Sequence, residues 1–262
     1  MEYTNPIVLS LLISLGIQTF FFIFAASFKT DKVTDLSYGL SFVAIAWVML
    51  LTRSGDISLH EAAVVTLVTL WGIRLSGYLL IRVLKTGRDK RYDTMRNDLL
   101  KFGRFWLLQG LSVWAISLPA VYMLSRGRDY EVSLFIVIGV LVWLFGIAFE
   151  TVADVQLYNF RFKKDNKGLW IDEGVWRYSR HPNYFGEITL WWGLFICGLD
   201  VYSGVGWLAV AGPLTITGLL LFGSGIPILE KANDARWGTD RAYQQYKQET
   251  SILIPLPRQK RG

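Results

Sequence analysis

The segment RYSRHPNYFGE, residues 177–187, places two arginines, a histidine, an asparagine and a glutamate directly before the apolar run ITLWWGLFICGL. Asn183, Glu187 and Trp191 recur every four residues and so share one face of a helix. Pro182 and Gly186 permit a break or a helix start there. A helix N-terminus leaves backbone N–H groups free, and these attract anions. Arg177, Arg180 and His181 add positive charge beside them. Such a set suits a ligand with a phosphate at the mouth and a polar aromatic group deeper in. The competing reading is a basic loop that fixes topology, with an incidental cap. Glu187 favours the ligand, because a carboxylate at the start of an apolar helix needs a reason to be there.

Three further groups carry charge into apolar surroundings. Glu150 and Asp154 stand four residues apart in FETVADVQLYNFR, and Arg161 follows seven residues after Asp154, near the same stripe. They fit either a polar cavity opening inward or an ion-pair lattice between helices. Arg74 lies inside an apolar run with Tyr78 one turn further on, where it binds a ligand or satisfies helix carbonyls and a neighbouring acid. Tyr243 and Tyr246, beside Arg241 and Lys247, either close over a nucleotide-like ligand or lie at the membrane interface. There is no G-x-G-x-x-G after a strand and no P-loop, so a nucleotide here would be bound without a Rossmann fold. The GSG at 223–225 reads as a packing notch. His60 and His181 are the only histidines and Cys197 the only cysteine, which gives no support to a metal site and excludes an internal disulfide.

The elements that must position these residues are membrane helices. Of 262 residues 52% are hydrophobic and 18% charged, and the apolar runs approach the roughly 20 residues that cross a bilayer. Seven segments stand out, at 6–27, 36–52, 60–82, 105–125, 132–157, 185–200 and 203–228. With the N-terminus outside, every Lys and Arg except Arg53, Arg74, Arg126 and Arg128 falls on the inner side. The expected fold is therefore all-α: a single polytopic membrane bundle over residues 1–262 with about seven transmembrane helices. The first run reads as a retained span rather than a signal peptide. Residues 229–262 form a cytoplasmic segment, helical but interrupted near Gly238, and end at the prolines of LIPLP. The net charge of +6 is the ordinary basic bias of inner loops and calls for no nucleic acid.

RYSRHPNYFGE, then Trp191, then LEK…AYQQYK…LIP, resembles the superfamily of steroid 5-alpha-reductases, sterol reductases and isoprenylcysteine carboxyl methyltransferases. The resemblance is closest to a bacterial branch of the 5-alpha-reductase-like proteins and runs from Phe145 to Pro255, more loosely over the third span. It implies a cytosol-facing cofactor cavity in a bacterial inner-membrane enzyme. The motif residues that contact NADPH in the reductases match Asn183, Glu187 and Trp191. The Asp and Arg ending the preceding helix match Asp154 and Arg161, the tail tyrosine matches Tyr243 or Tyr246, and the Arg and Tyr of the third span match Arg74 and Tyr78 in WGIRLSGY. The steroid half departs: no Gln-Glu pair stands on the second span, where the nearest polar group is Asp35, and Trp71 takes the place of a substrate-binding tyrosine.

The leading expectation is an NADPH-dependent reductase of a lipophilic conjugated substrate. Tyr78 is the candidate donor, Asp35 or Glu187 orients, and Arg74, Asp154, Arg161, Arg180, His181, Asn183, Glu187, Trp191, Tyr243 and Tyr246 hold the cofactor. The alternatives are an S-adenosylmethionine-dependent methyltransferase of a lipid-like acid and a non-enzymatic membrane protein. Partners other than the bilayer and a lipophilic small molecule are not indicated.

Overall fold

The computed structural model describes residues 5–87, 95, 98–126 and 133–258. The described residues form nine α-helices: α1 (Pro6–Ser27), α2 (Thr34–Thr52), α3 (Leu59–Thr86), α4 (Leu99–Ser125), α5 (Leu134–Phe162), α6 (Pro182–Ile196), α7 (Ala211–Phe222), α8 (Ile226–Trp237) and α9 (Arg241–Glu249). Among them there is no β-strand, only an isolated bridge between Ser179 and Ser251. Six stretches are long and apolar enough to cross a membrane: α1 to α5 and the run Gly204–Trp237. That composition is compatible with an integral multi-pass membrane protein.

The helices begin where local chemistry directs. Asn5 caps α1 ahead of a first-turn proline. Ser58 and Glu61 form a reciprocal capping box at α3, and the Glu61 carboxylate also pairs with the buried Arg53 at 3.0 Å. Two expectations need correction. The sixth apolar segment is a helix of only 15 residues, about 22 Å long, and falls short of a full span by length alone. The seventh is not one helix: a 3-10 turn, Gly204–Val210, leads into α7. The GSG that read as a packing notch breaks the chain between α7 and α8, and Gly225 lies so close to its own helix end that a Cβ there would meet the Leu220 carbonyl at 2.4 Å. The basic run Arg88, Lys90, Arg91 and Arg96, the turn from Gly127 with Arg128, and Lys260 and Arg261 lie outside the described residues.

The chain divides into two compact units, Met1–Ile138 with Leu194–Thr215, and Gly139–Gly193 with Ile216–Gly262. In the first unit α1 packs on α2 and α4, and α2 on α3 and α4. The α2–α3 contact is close: a Cβ on Gly39 would stand 2.8 Å from the Gly72 carbonyl oxygen. Small residues that let backbones approach are the usual adhesive of membrane helices, where no hydrophobic effect drives association.

Candidate functional site

In the second unit two pairs of glycines set the geometry. Gly139 and Gly146 on α5 face Gly186 and Gly193 on α6, each pair one heptad apart. A Cβ on Gly193 would meet Trp143 N at 2.6 Å and the Gly139 oxygen at 2.9 Å, and one on Gly186 would meet Glu150 N at 2.6 Å and the Gly146 oxygen at 2.7 Å. The two backbones therefore touch along two turns. Gly186, inside the motif, serves this packing, and the crossing sets the Glu150 backbone of α5 level with Gly186 of α6. Glu150, Asp154 and Glu187 are 2, 4 and 8% exposed. Trp191 is fully buried, and Asn183 half-buried at the open end of the stripe. All five lie in the second unit, Glu150 and Asp154 on α5 and Asn183, Glu187 and Trp191 on the α6 that packs against it. Arg161, at the last turn of α5, is exposed.

Arg180 and His181 are placed differently from the expectation of a free phosphate site. The Glu230 carboxylate of α8 takes Arg180 Nη2 at 3.1 Å, His181 Nε2 at 2.9 Å and Lys247 Nζ of α9 at 3.4 Å. Arg180 also donates to the carbonyls of Lys247 and Thr250, and Lys247 is held by Asp234 at 2.6 Å. Two permanent cations thus meet two carboxylates, and the half-buried arginine has both terminal nitrogens engaged, by a carboxylate and two carbonyls, while its buried Nε has no hydrogen-bond partner among the described residues. His181 stacks flat on Tyr184, and its backbone N–H donates to Ser179 Oγ at 3.1 Å. Glu230, in the LEK that forms part of the resemblance, was not among the sequence candidates, because its partners lie about 50 and 17 residues away in the chain and spacing cannot pair them. Only the fold shows the cations converging on it.

The tail is tied to the same place. Arg180 N donates to the Ser251 carbonyl at 2.8 Å, Leu256 N to the Tyr178 carbonyl at 3.1 Å, and Ser179 Oγ to the Leu253 carbonyl at 2.7 Å. Tyr243 and Tyr246 are buried, not hovering over an opening. The Tyr246 hydroxyl donates to the Trp176 carbonyl at 3.1 Å, and both rings pack with Trp170, itself edge-on to Tyr243 at 5.3 Å. Burial, with the charges of Glu230 and Asp234, pushes the Tyr243 phenol up to about 12. Burial raises Tyr246 further still. Both are neutral phenols at physiological pH, and their first duty is to hold α9 against the segment before α6.

The first unit carries the remaining candidates. Arg74 and Tyr78 lie half-buried on α3. Asp35, at the start of α2, pairs with Arg82 of α3 at 3.0 Å, so its carboxylate has a structural partner that the sequence did not indicate. Trp71 is fully buried, edge-on to Phe42 at 5.1 Å. A network of neutral amides and hydroxyls, invisible to a search for ionisable groups, joins three helices: Gln109 Nε2 of α4 donates to Gln18 Oε1 of α1 at 2.9 Å and to Ser37 Oγ of α2 at 3.2 Å, and Gln18 Nε2 donates to Ser41 Oγ of α2 at 2.9 Å. Such bonds cost little to form where no water competes, and each contributes about 1 kcal/mol or less.

No curated protein and no solved structure matches the chain. Residues 21–250 match the family described as protein of unknown function (DUF1295), and since the match spans most of its length this chain belongs to that family.

Proposed function

We propose that this protein is an integral membrane reductase that uses NADPH to reduce an activated carbon–carbon double bond in a lipophilic, conjugated substrate, steroid-like or isoprenoid-like. The observation that carries the reading is the stripe of half-buried Asn183 and buried Glu187 and Trp191 on α6, which packs against the α5 that carries buried Glu150 and Asp154, within the stretch that resembles the cofactor half of the 5-alpha-reductases. These residues fit a nicotinamide cofactor. Carboxylates accept from ribose hydroxyls and from a carboxamide amine, and an asparagine amide both donates and accepts. When bound, the cofactor supplies the hydride; the chain supplies orientation and a dry surround. With Arg180 and His181 held by Glu230, the phosphates fall to Arg161, exposed at the end of α5 beside Lys163 and Lys164. Tyr78 is assigned to hydrogen-bond the substrate carbonyl oxygen and so draw charge from the reacting double bond. Arg74 is assigned to the cofactor. The topology that accompanies this reading has seven crossings, with α6 the short one, the N-terminus outside and the site facing the cytoplasm of a bacterial inner membrane.

A specific observation favours a second reading. Three buried carboxylates in one unit, with Arg180 neutralised, also suit the sulfonium of S-adenosylmethionine and a methyl transfer to a lipid-like carboxylate. A ligand that binds only the folded state raises its melting temperature, so titration of the detergent-solubilised protein with each cofactor separates the two. A shift with NADPH is expected. A shift with S-adenosylmethionine alone replaces the reductase with the methyltransferase, and a shift with neither removes both.

A further inference from the structure

From Ser251 to Leu256 the chain leaves helical structure and its exposure alternates. Ser251, Leu253 and Pro255 are half-buried, whereas Ile252, Ile254 and Leu256 are 45, 56 and 48% exposed. The inward positions are accounted for, since the Ser251 and Leu253 carbonyls accept from Arg180 N and Ser179 Oγ. The outward ones are three aliphatic side chains in a row. Because the strap is bonded to residues 178–180, the row stands within a few residues of Pro182, where the apolar α6 begins.

Its flanks are basic. Arg177 is exposed, Arg258 donates to the Arg177 carbonyl at 3.2 Å and pairs with the exposed Asp172 at 3.4 Å, and the sequence runs on as PRQKRG. Pro255 and Pro257 lack amide donors, so the strap is a poor template for a further strand. Three side chains also make too small a patch for a stable protein interface, which buries roughly 1,200 Å² or more. Aliphatic side chains set among basic ones are what binds an anionic lipid surface.

We propose that the strap is a membrane-interface anchor: Ile252, Ile254 and Leu256 insert at the edge of the bilayer, and the basic residues around them meet anionic headgroups. The bilayer then presses the strap onto Tyr178, Ser179 and Arg180, the residues that lead into α6. This anchoring is independent of which cofactor the protein uses.

The full chain carrying Ile254→Cys, labelled with an environment-sensitive fluorophore, tests it in vesicles of equimolar phosphatidylcholine and phosphatidylglycerol. Cys197 is buried and stays in place, with label uptake by the unmodified chain as background. Gln245→Cys, on the exposed face of α9, is the comparison site. The label at position 254 is expected to emit blue-shifted relative to position 245, to lose fluorescence to lipid-borne shallow quenchers and to resist aqueous iodide. Quenching by iodide without quenching from the lipid overturns the proposal. Shielding from both quenchers overturns it too, since it shows that protein covers the row.

Discussion

Gly186→Ala is the sharpest test of how the candidate site is held. The added methyl would stand 2.6 Å from Glu150 N, 2.7 Å from the Gly146 oxygen and 2.8 Å from Glu150 Cα. All three are backbone atoms of α5, so no side chain can turn aside, and α5 and α6 must part by about half an ångström or more. Overpacking of this kind costs about 1–3 kcal/mol, and the better helix propensity of alanine returns up to about 1 kcal/mol. A net loss of about 1–2 kcal/mol lowers the melting temperature by about 2–8 °C for a chain of this size. Gly218→Ala is the matched control: it sits inside α7, where a new methyl would have nothing within 4 Å, and should gain about 0.5–1 kcal/mol. Melting followed by tryptophan fluorescence in detergent reads both. Equal and positive shifts for the two variants would refute the close crossing and, with it, the placement of the Glu150 backbone against Gly186.

Arg161→Ala should weaken NADPH binding about tenfold, through loss of one charge-assisted contact of about 1.5–3 kcal/mol, with the melting temperature unchanged; equilibrium titration and a melt measure the two. Arg180→Ala should do the reverse, because it strips a partner from the half-buried Glu230 and leaves two carbonyls unserved, at a cost of about 3 kcal/mol visible in the melt. Tyr78→Phe should slow reduction while leaving NADPH affinity intact, and the unmodified protein should consume little NADPH with simple 3-oxo-4-ene steroids, since the substrate half departs from the steroid enzymes; turnover that survives Tyr78→Phe removes that tyrosine from the mechanism. The Tyr243 phenol, usual value 10.0, stays neutral to about 12 in the fold but ionises at its ordinary value once unfolded. Stability should therefore fall as pH rises from 10 toward 12; because Tyr246 adds a fall of the same sign, Tyr243→Phe should lessen the slope of a melting-temperature series across that window and leave Tyr246's share in place.

Much of the fold is legible in the sequence because hydropathy and caps are local. The expected run 6–27 is α1, Pro6–Ser27, and the tail does break at Gly238 between α8 and α9. The seventh run misled because GSG interrupts it without altering its hydropathy. Helical spacing put Glu150 with Asp154, and Asn183 with Glu187 and Trp191, on shared faces, and these stretches are indeed helical in α5 and α6, with all but Asn183 buried, since residues four apart share a face whatever the tertiary fold. Spacing could not reveal that Glu230 lies against Arg180 and His181, or Arg82 against Asp35, because those partners are far apart in sequence and meet only through packing. It also misjudged Tyr243 and Tyr246. A tyrosine in a polar helix looks exposed until Trp170 is known to lie against it.

Whether this protein carries a nicotinamide cofactor decides between the two readings of its site. The most direct measurement is mass spectrometry of the small molecules released on denaturing protein that has been purified in mild detergent without added cofactor. NADPH or its oxidised form, in stoichiometric excess over an Arg161→Ala, Glu187→Ala preparation, is the expected result. S-adenosylmethionine or its demethylated product in that position would contradict the reductase.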